Sequence, residues 1–293
     1  MRNEQEMMDL IINTAIEDER IRAVYMNGSR TNPNVPKDIF QDYDIVYVVT
    51  ETSTFIEDEN WINLFGDLRM VQEPDKLDHG IGLNMNFERR YAYLMLFTDG
   101  NRIDLTLQTK ETVLEEYGKD KLTVPLLDKD EFLPSIPSPS DIDYHVKKPT
   151  EGQFDSCTND FWWCLQNVAK GIWRDELPYA KLMFKYTTRE SLDEMVNWWI
   201  GIEYDFQVST GKMGKYFKKF LPESYWEMYQ KTYSDGSCEN MWDSLFITCE
   251  LFRALARDVA ESLSFTYPAD DDKNITEYLH HVKKLPPDAK EIY

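Results

Sequence analysis

The chain has 293 residues, of which 42% are hydrophobic and 14% aromatic, enough for two domains with cores of their own, and its formal charge is −21. That charge repels nucleic-acid phosphates overall and draws in small cations, or serves solubility alone. No stretch approaches membrane-spanning length, so the composition excludes an integral helical membrane protein and leaves a globular one, expected in the cytoplasm.

At the N-terminus, Met7, Leu10, Ile11, Ala15 and Ile16 recur at helical spacing among acids, which predicts an amphipathic helix rather than a secretory leader. The strand "IRAVYMN" follows, then Gly28-Ser29 with a short helix, the strand "YDIVYVVT", and the aromatic segment "WINLFG". Next, "YAYLMLF" and "RIDLTLQT" flank "TDGN", and Asp-Gly between two such runs signals an antiparallel hairpin with Asp104 on a strand. "LPSIPSPSDIDYHVKKP" is rich in proline and serine and marks a boundary. The predicted division is 1–135, a linker over 136–149, and 150–293. Beyond the boundary, apolar and aromatic residues recur at helical intervals through two or three helices, and "NMWDSLFITCELFRALARDVAESL" supplies another long one. No internal repeat occurs in either half.

Cys157, Cys164, Cys238 and Cys249 form no Cys-x-x-Cys pair and sit in helical apolar patterns, so buried reduced thiols are expected. His79, His145, His280 and His281 have no metal-ligand spacing and are expected at the surface.

The chemistry concentrates around Gly28. Asp42 and Asp44, two residues apart, project from one face of a strand and repel each other unless a cation lies between them. A divalent ion such as Mg²⁺, which prefers carboxylates together with substrate phosphate oxygens, meets that need. Gly28 permits close backbone approach, and Ser29 offers a hydroxyl and an amide at a helix N-terminus, a cradle for phosphate. Asp104 completes a trio if its strand aligns beside that of Asp44; it then serves as third metal ligand or as general base, and an edge strand is the plain alternative. Gly-Ser or Asp-x-Asp alone is an ordinary turn or a solvated strand end, and the joint pattern is what points to a phosphate-and-metal site.

The arrangement resembles the nucleotidyltransferase superfamily. More narrowly, "NGSRTNPNVPKDIFQDYDIVYVVT", "WINLFG", "YLMLFTDGNRIDLTL" and "LLDKD" resemble the bacterial aminoglycoside 6-adenylyltransferases, which modify streptomycin. The resemblance implies an α+β nucleotidyltransferase domain, a mixed β-sheet flanked by helices, followed by an all-α helical bundle that binds substrate. It implies transfer of AMP from ATP to streptomycin with release of pyrophosphate. Asp42, Asp44 and Asp104 would be the metal-binding and catalytic carboxylates, and Gly28, Ser29 and Arg30 would hold the β- and γ-phosphates.

Streptomycin carries two guanidinium groups and an amine, so its pocket calls for carboxylates and aromatic faces. Trp173, Asp175 and Glu176 fit, the two acids in what the resemblance implies is a cleft between the halves; Trp198, Trp199, Glu203 and Asp205 are further candidates, though aromatic residues at helical spacing also build cores. Lys170 and Lys212 are the expected partners of the triphosphate, and a solvated basic face is the plain reading of Lys218 and Lys219. The expected partners are thus ATP and a small cationic aminoglycoside, with no nucleic acid or membrane, and a monomer is favoured. A transferase acting on an RNA end or a protein, or a nucleotide sensor without activity, are the competing readings. Overall acidity argues against an RNA acceptor, and the intact aspartate trio against the sensor.

Overall fold

The computed structural model describes residues 1–293, which form two compact units, Met1–Asp143 and Tyr144–Tyr293. The first contains α1 (Glu4–Glu17), β1 (Ile21–Asn27), β2 (Tyr43–Val49), α2 (Ser53–Glu57), β3 (Leu68–Gln72), α3 (Pro74–Gly80), β4 (Arg90–Phe97), β5 (Arg102–Thr109), α4 (Lys110–Glu116) and β6 (Val124–Asp128). The predicted N-terminal helix is there, started by a reciprocal cap between Asn3 and Glu6, and it buries Met7, Ile11 and Ala15.

The six strands form one mixed sheet in the order β3-β4-β5-β2-β1-β6. Only β2 and β5 run parallel; the other neighbours are antiparallel. The predicted hairpin joins β4 to β5, closed by the Phe97 N–H on the Asn101 carbonyl at 2.9 Å. Its second strand lies inside the sheet between β4 and β2, so Asp104 is not an edge residue. At the true edge, β6 carries Pro125, which an edge strand tolerates; "VPLLD" lacks the alternation that would have announced a strand.

The two sheet faces are unequally covered. Tyr43, Ile45, Tyr47, Val49, Ile103, Leu105 and Leu107 pack with α1, Phe55, Trp61 and Phe65 into the main core. The alternate residues face a much smaller cluster of Ala23, Tyr25, Val46, Val48 and Val113. Polar side chains at the β2 and β5 ends of this second face therefore need no burial to satisfy the core.

The second unit is helical: α5 (Glu151–Trp173), α6 (Leu177–Met183), α7 (Arg189–Glu203), α8 (Phe217–Phe220), α9 (Glu223–Lys231), α10 (Cys238–Leu263) and α11 (Ala269–Lys284), with a π-helical turn at Phe184–Thr188 between α6 and α7. Phe161 on α5 stacks on Phe252 of α10 with ring centroids 3.6 Å apart, and Trp162 and Trp198 are buried with them, so those two tryptophans are core. Sequence periodicity missed α11 because charge masks its apolar face of Leu279 and Val282. Three aspartates in its first turn and Lys283 and Lys284 in its last complement the helix dipole.

Two minor expectations need correction. All four cysteines are free, but only Cys249 is fully buried; Cys157, Cys164 and Cys238 are half-buried because their helices turn those positions toward the edge of the core. His79 and His280 are exposed, whereas His145 and His281 are half-buried. No helix is long and apolar enough to cross a membrane.

Candidate active site

Asp44 sits second on β2, and in the parallel pairing with β5 it stands directly opposite Asp104; across the other neighbour it pairs with Asn27, the last residue of β1. The sheet thus sets Asn27, Asp44 and Asp104 in one row, and Gly28 and Ser29 continue from the end of β1. Gly28 adopts φ +80°, a backbone region that disfavours residues with a Cβ. A Cβ there would also lie 2.8 Å from Asp44 Cγ, which real Cβ atoms essentially never do. The glycine is what allows the carboxylate to lie against the turn.

The turn differs from the expected helix. Ser29–Thr31 is a single 3-10 turn, because Pro33 and Pro36 prevent helical continuation, so no long-helix dipole acts on Ser29. Thr31 Oγ1 lies 2.8 Å from the Gly28 carbonyl and 3.0 Å from that of Leu122, which ties the turn to the loop before β6. These bonds leave the Ser29 hydroxyl out of the fastening.

Arg30 is also placed otherwise than expected. Its side chain is only 7% exposed, stacks over the Tyr43 ring at 3.8 Å, and donates to the carbonyls of Gln41 (2.8 Å) and Asp42 (3.2 Å). A guanidinium so committed clamps the chain entering β2 and does not reach out for phosphate; the aromatic platform and two carbonyls account for its inward turn.

The cation between the acids is Arg102, which sequence reasoning passed over. It donates two hydrogen bonds of 2.7 Å to the two Asp104 oxygens and lies 3.5 Å from Asp42 Oδ2. The signal was available, since Arg102 and Asp104 are two apart on one strand and so share a face. Burial raises the Asp44 pKa to about 6, with the Asp104 and Asp42 charges adding to the effect and Arg102 and Arg30 opposing it. Burial also raises Asp42, against the pull of Arg102.

Three carboxylates thus share a patch with one bound guanidinium and remain electrostatically under-compensated. They do not converge on a point: no three His, Cys, Asp or Glu side chains come together as a ready metal cluster. Arg102 spans two of the three. The donor set is nevertheless all oxygen, and the raised Asp44 pKa marks a place where added positive charge is favourable, so these residues fit a hard divalent ion.

Beside this row lies a cavity of about 410 Å³ lined by Tyr25, Asn27, Thr106, Gln108, Glu116 and their neighbours. Thr106 and Gln108 continue the Asp104 face of β5 at two-residue steps, so alternation could have found them; Glu116, on the next helix, had no such signal.

The predicted residues of the helical unit divide. Lys170 and Trp173 meet in a cavity of about 200 Å³ with Arg174, Tyr278 and the C-terminal segment. Asp175 and Glu176 are exposed on the turn that follows α5, and Lys212 is exposed on a separate turn, Lys212–Gly214. Trp199 is only partly buried and donates to Asp258 at 3.0 Å, and these two share a small acidic pocket with Glu203 and Glu261.

A family model described as streptomycin adenylyltransferase matches residues 1–282 of this chain. The chain belongs to the streptomycin adenylyltransferase family. It is 41% identical over 284 residues to an aminoglycoside 6-adenylyltransferase of Campylobacter jejuni, covering 97% of each chain. It is 40% identical over 280 residues to one of Bacillus subtilis (strain 168), covering 95% of this chain and 97% of the relative. A crystal structure of an aminoglycoside 6-adenyltransferase from Bacillus subtilis aligns with 97% of this chain and 100% of its own at 35% identity, with a TM-score of 0.48. As a family member the chain is an adenylyltransferase, and it takes a nucleotide as co-substrate. In this adenylyltransferase the Asn27–Asp44–Asp104 row beside Gly28 is the candidate place of transfer.

Proposed function

We propose that this adenylyltransferase transfers AMP from ATP to a hydroxyl of streptomycin with the aid of Mg²⁺, releasing pyrophosphate. The observation that carries the reading is the in-register pairing of Asp44 with Asp104 beside the Gly28–Ser29 turn. The names of the similar proteins support an aminoglycoside as acceptor.

Asp42 and Asp44 would hold the magnesium, with Asp104 as the third carboxylate or as general base. When bound, the ion neutralises phosphate charge and polarises the phosphoryl group. The chain's own residues supply position. The Gly28–Ser29 backbone and the Ser29 hydroxyl receive the β- and γ-phosphates, and the row of acids fixes the α-phosphorus beside them. The acceptor oxygen attacks that phosphorus in line with the bond to pyrophosphate; the new P–O bond forms as the old one breaks, and the hydroxyl proton passes to a base such as Asp104. Arg30 takes part by holding the entry to β2, and Arg102, which bridges Asp42 and Asp104, occupies carboxylate oxygens that the ion would take over.

In the helical unit Trp173 would contact the drug and Lys170 the triphosphate, and the two line one cavity. Exposed Asp175 and Glu176 are offered to the cationic drug and exposed Lys212 to the triphosphate.

The test is pyrophosphate release by the purified protein with ATP and Mg²⁺, comparing streptomycin with spectinomycin, kanamycin, tRNA and no acceptor. Release dependent on streptomycin supports the proposal. Equal release with tRNA, or ATP binding without turnover on any acceptor, would overturn it.

A further inference from the structure

We infer that Glu116 anchors a cationic group of the acceptor, a guanidinium or an ammonium, in the cavity that continues from Asp104 along β5. The inference rests on the adenylyl-transfer reading above and adds the acceptor's subsite to it.

The direction of the reaction selects this cavity. Pyrophosphate is held at Gly28–Ser29, where β1 ends, and the acids that place the α-phosphorus form the adjoining row. An in-line attack brings the acceptor from the side opposite the leaving group. On the same sheet face, moving away from the turn, the next row is Tyr25, Val46 and Thr106, and beyond it come Val48 and Gln108. Tyr25, Val46, Thr106 and Gln108 all line the cavity. The space the acceptor must enter is already open there.

Its chemistry suits a cationic polyol. Tyr25 donates to Gln108 Oε1 at 2.8 Å, and Gln108 Nε2 in turn donates to Glu116 Oε2 at 2.8 Å. This chain commits the Gln108 amide in both directions, so Gln108 is a positioning residue that fixes which way the Glu116 carboxylate points. Glu116 takes this bond from a neutral amide although Arg90 and Lys119 line the same cavity, so its negative charge is oriented and stays available. Thr106 and Asn27 add neutral polar groups suited to hydroxyls. From Asp104 to Gln108 is four residues, roughly 13 Å of strand, a span suited to a cation carried some way from the reacting hydroxyl of a multi-ring acceptor.

The experiment is steady-state kinetics of the full chain with Mg-ATP and streptomycin for the parent, Glu116→Gln, Glu116→Asp and Gln108→Leu, alongside calorimetric titration of streptomycin without nucleotide. Glutamine keeps the size of Glu116 and its bond from Gln108, and thermal melts confirm that each variant is folded. Glu116→Gln is expected to raise the streptomycin KM and Kd about tenfold while leaving kcat and the ATP KM within about twofold. Glu116→Asp should recover part of the loss. Gln108→Leu should raise the streptomycin KM without changing the ATP KM, a split that general loosening of the fold does not produce. Unchanged streptomycin binding in Glu116→Gln overturns the inference, and a rise confined to the ATP KM would assign the cavity to the nucleotide and overturn it too. A parent chain that binds no streptomycin refutes the wider functional reading instead, so the two failures are distinct.

Discussion

Gly28, just past the end of β1, lies against the Asp44 carboxylate of β2, and only the missing side chain of the glycine makes room for it. Gly28→Ala therefore acts twice. At φ +80° and ψ −159°, a region essentially only glycine occupies, a Cβ costs about 1–3 kcal/mol, and the methyl group displaces Asp44 from its place beside the turn. Adenylyl transfer should fall about a hundredfold or more, with a lowered melting temperature; kinetics and calorimetry on the same sample check both.

Asp42→Asn and Asp44→Asn remove charge without volume. Each should reduce turnover at least about a thousandfold, measured as pyrophosphate release. Neither should lower the melting temperature, because burial already disfavours both charges. Near-normal rates in either variant would mean that the metal is held elsewhere.

Arg102 binds the oxygens that magnesium would need. Arg102→Gln should lower the half-saturating Mg²⁺ concentration, about threefold to tenfold, since a competing positive charge is gone. A Mg²⁺ titration of the rate decides. A higher Mg²⁺ requirement would instead make Arg102 a structural support that the metal site depends on.

In the helical unit, Asp272 accepts two 2.6 Å hydrogen bonds from Arg253 and one of 2.8 Å from Tyr267, joining α10 to α11. Burial pushes its pKa up, but the bonds from Arg253, Tyr267 and Thr276 outweigh that and hold it below the ordinary value. A depressed carboxylate contributes stability that is fully present above the unfolded value, near pH 4, and is lost as pH falls through the folded value. Asp272→Asn should cost about 3 kcal/mol at neutral pH, and the difference from the parent should shrink below about pH 4. Chemical denaturation at pH 7 and pH 3 measures it.

The local chemistry around Gly28 could be read directly. Strand β1, the Gly-Ser turn, β2 and the β4–β5 hairpin all carry signals that neighbours along the chain supply: alternation, a breaker, Asp-Gly. Elements whose signals are weak or overwritten were not legible. Strand β6 is short and proline-bearing, and α11 hides two buried apolar residues among charges. The aromatic residues of the helical unit show the same limit, because helical spacing places Trp162 in the core and Trp163 on the surface without distinguishing core from pocket.

Sequence alone determined the kinds of group available: a glycine where the backbone needs one, a hydroxyl beside it, and two aspartates spaced two apart where a strand begins. Tertiary structure decided which groups meet. Pairing register sets Asp44 against Asp104, and a slip of one residue would send Asp104 to the opposite face. The same closure brings Arg102 to the acids, turns Arg30 inward over Tyr43, and links Tyr25, Gln108 and Glu116 across 91 positions of the chain. Such contacts depend on how distant segments pack, and no local pattern of residues encodes that packing by itself.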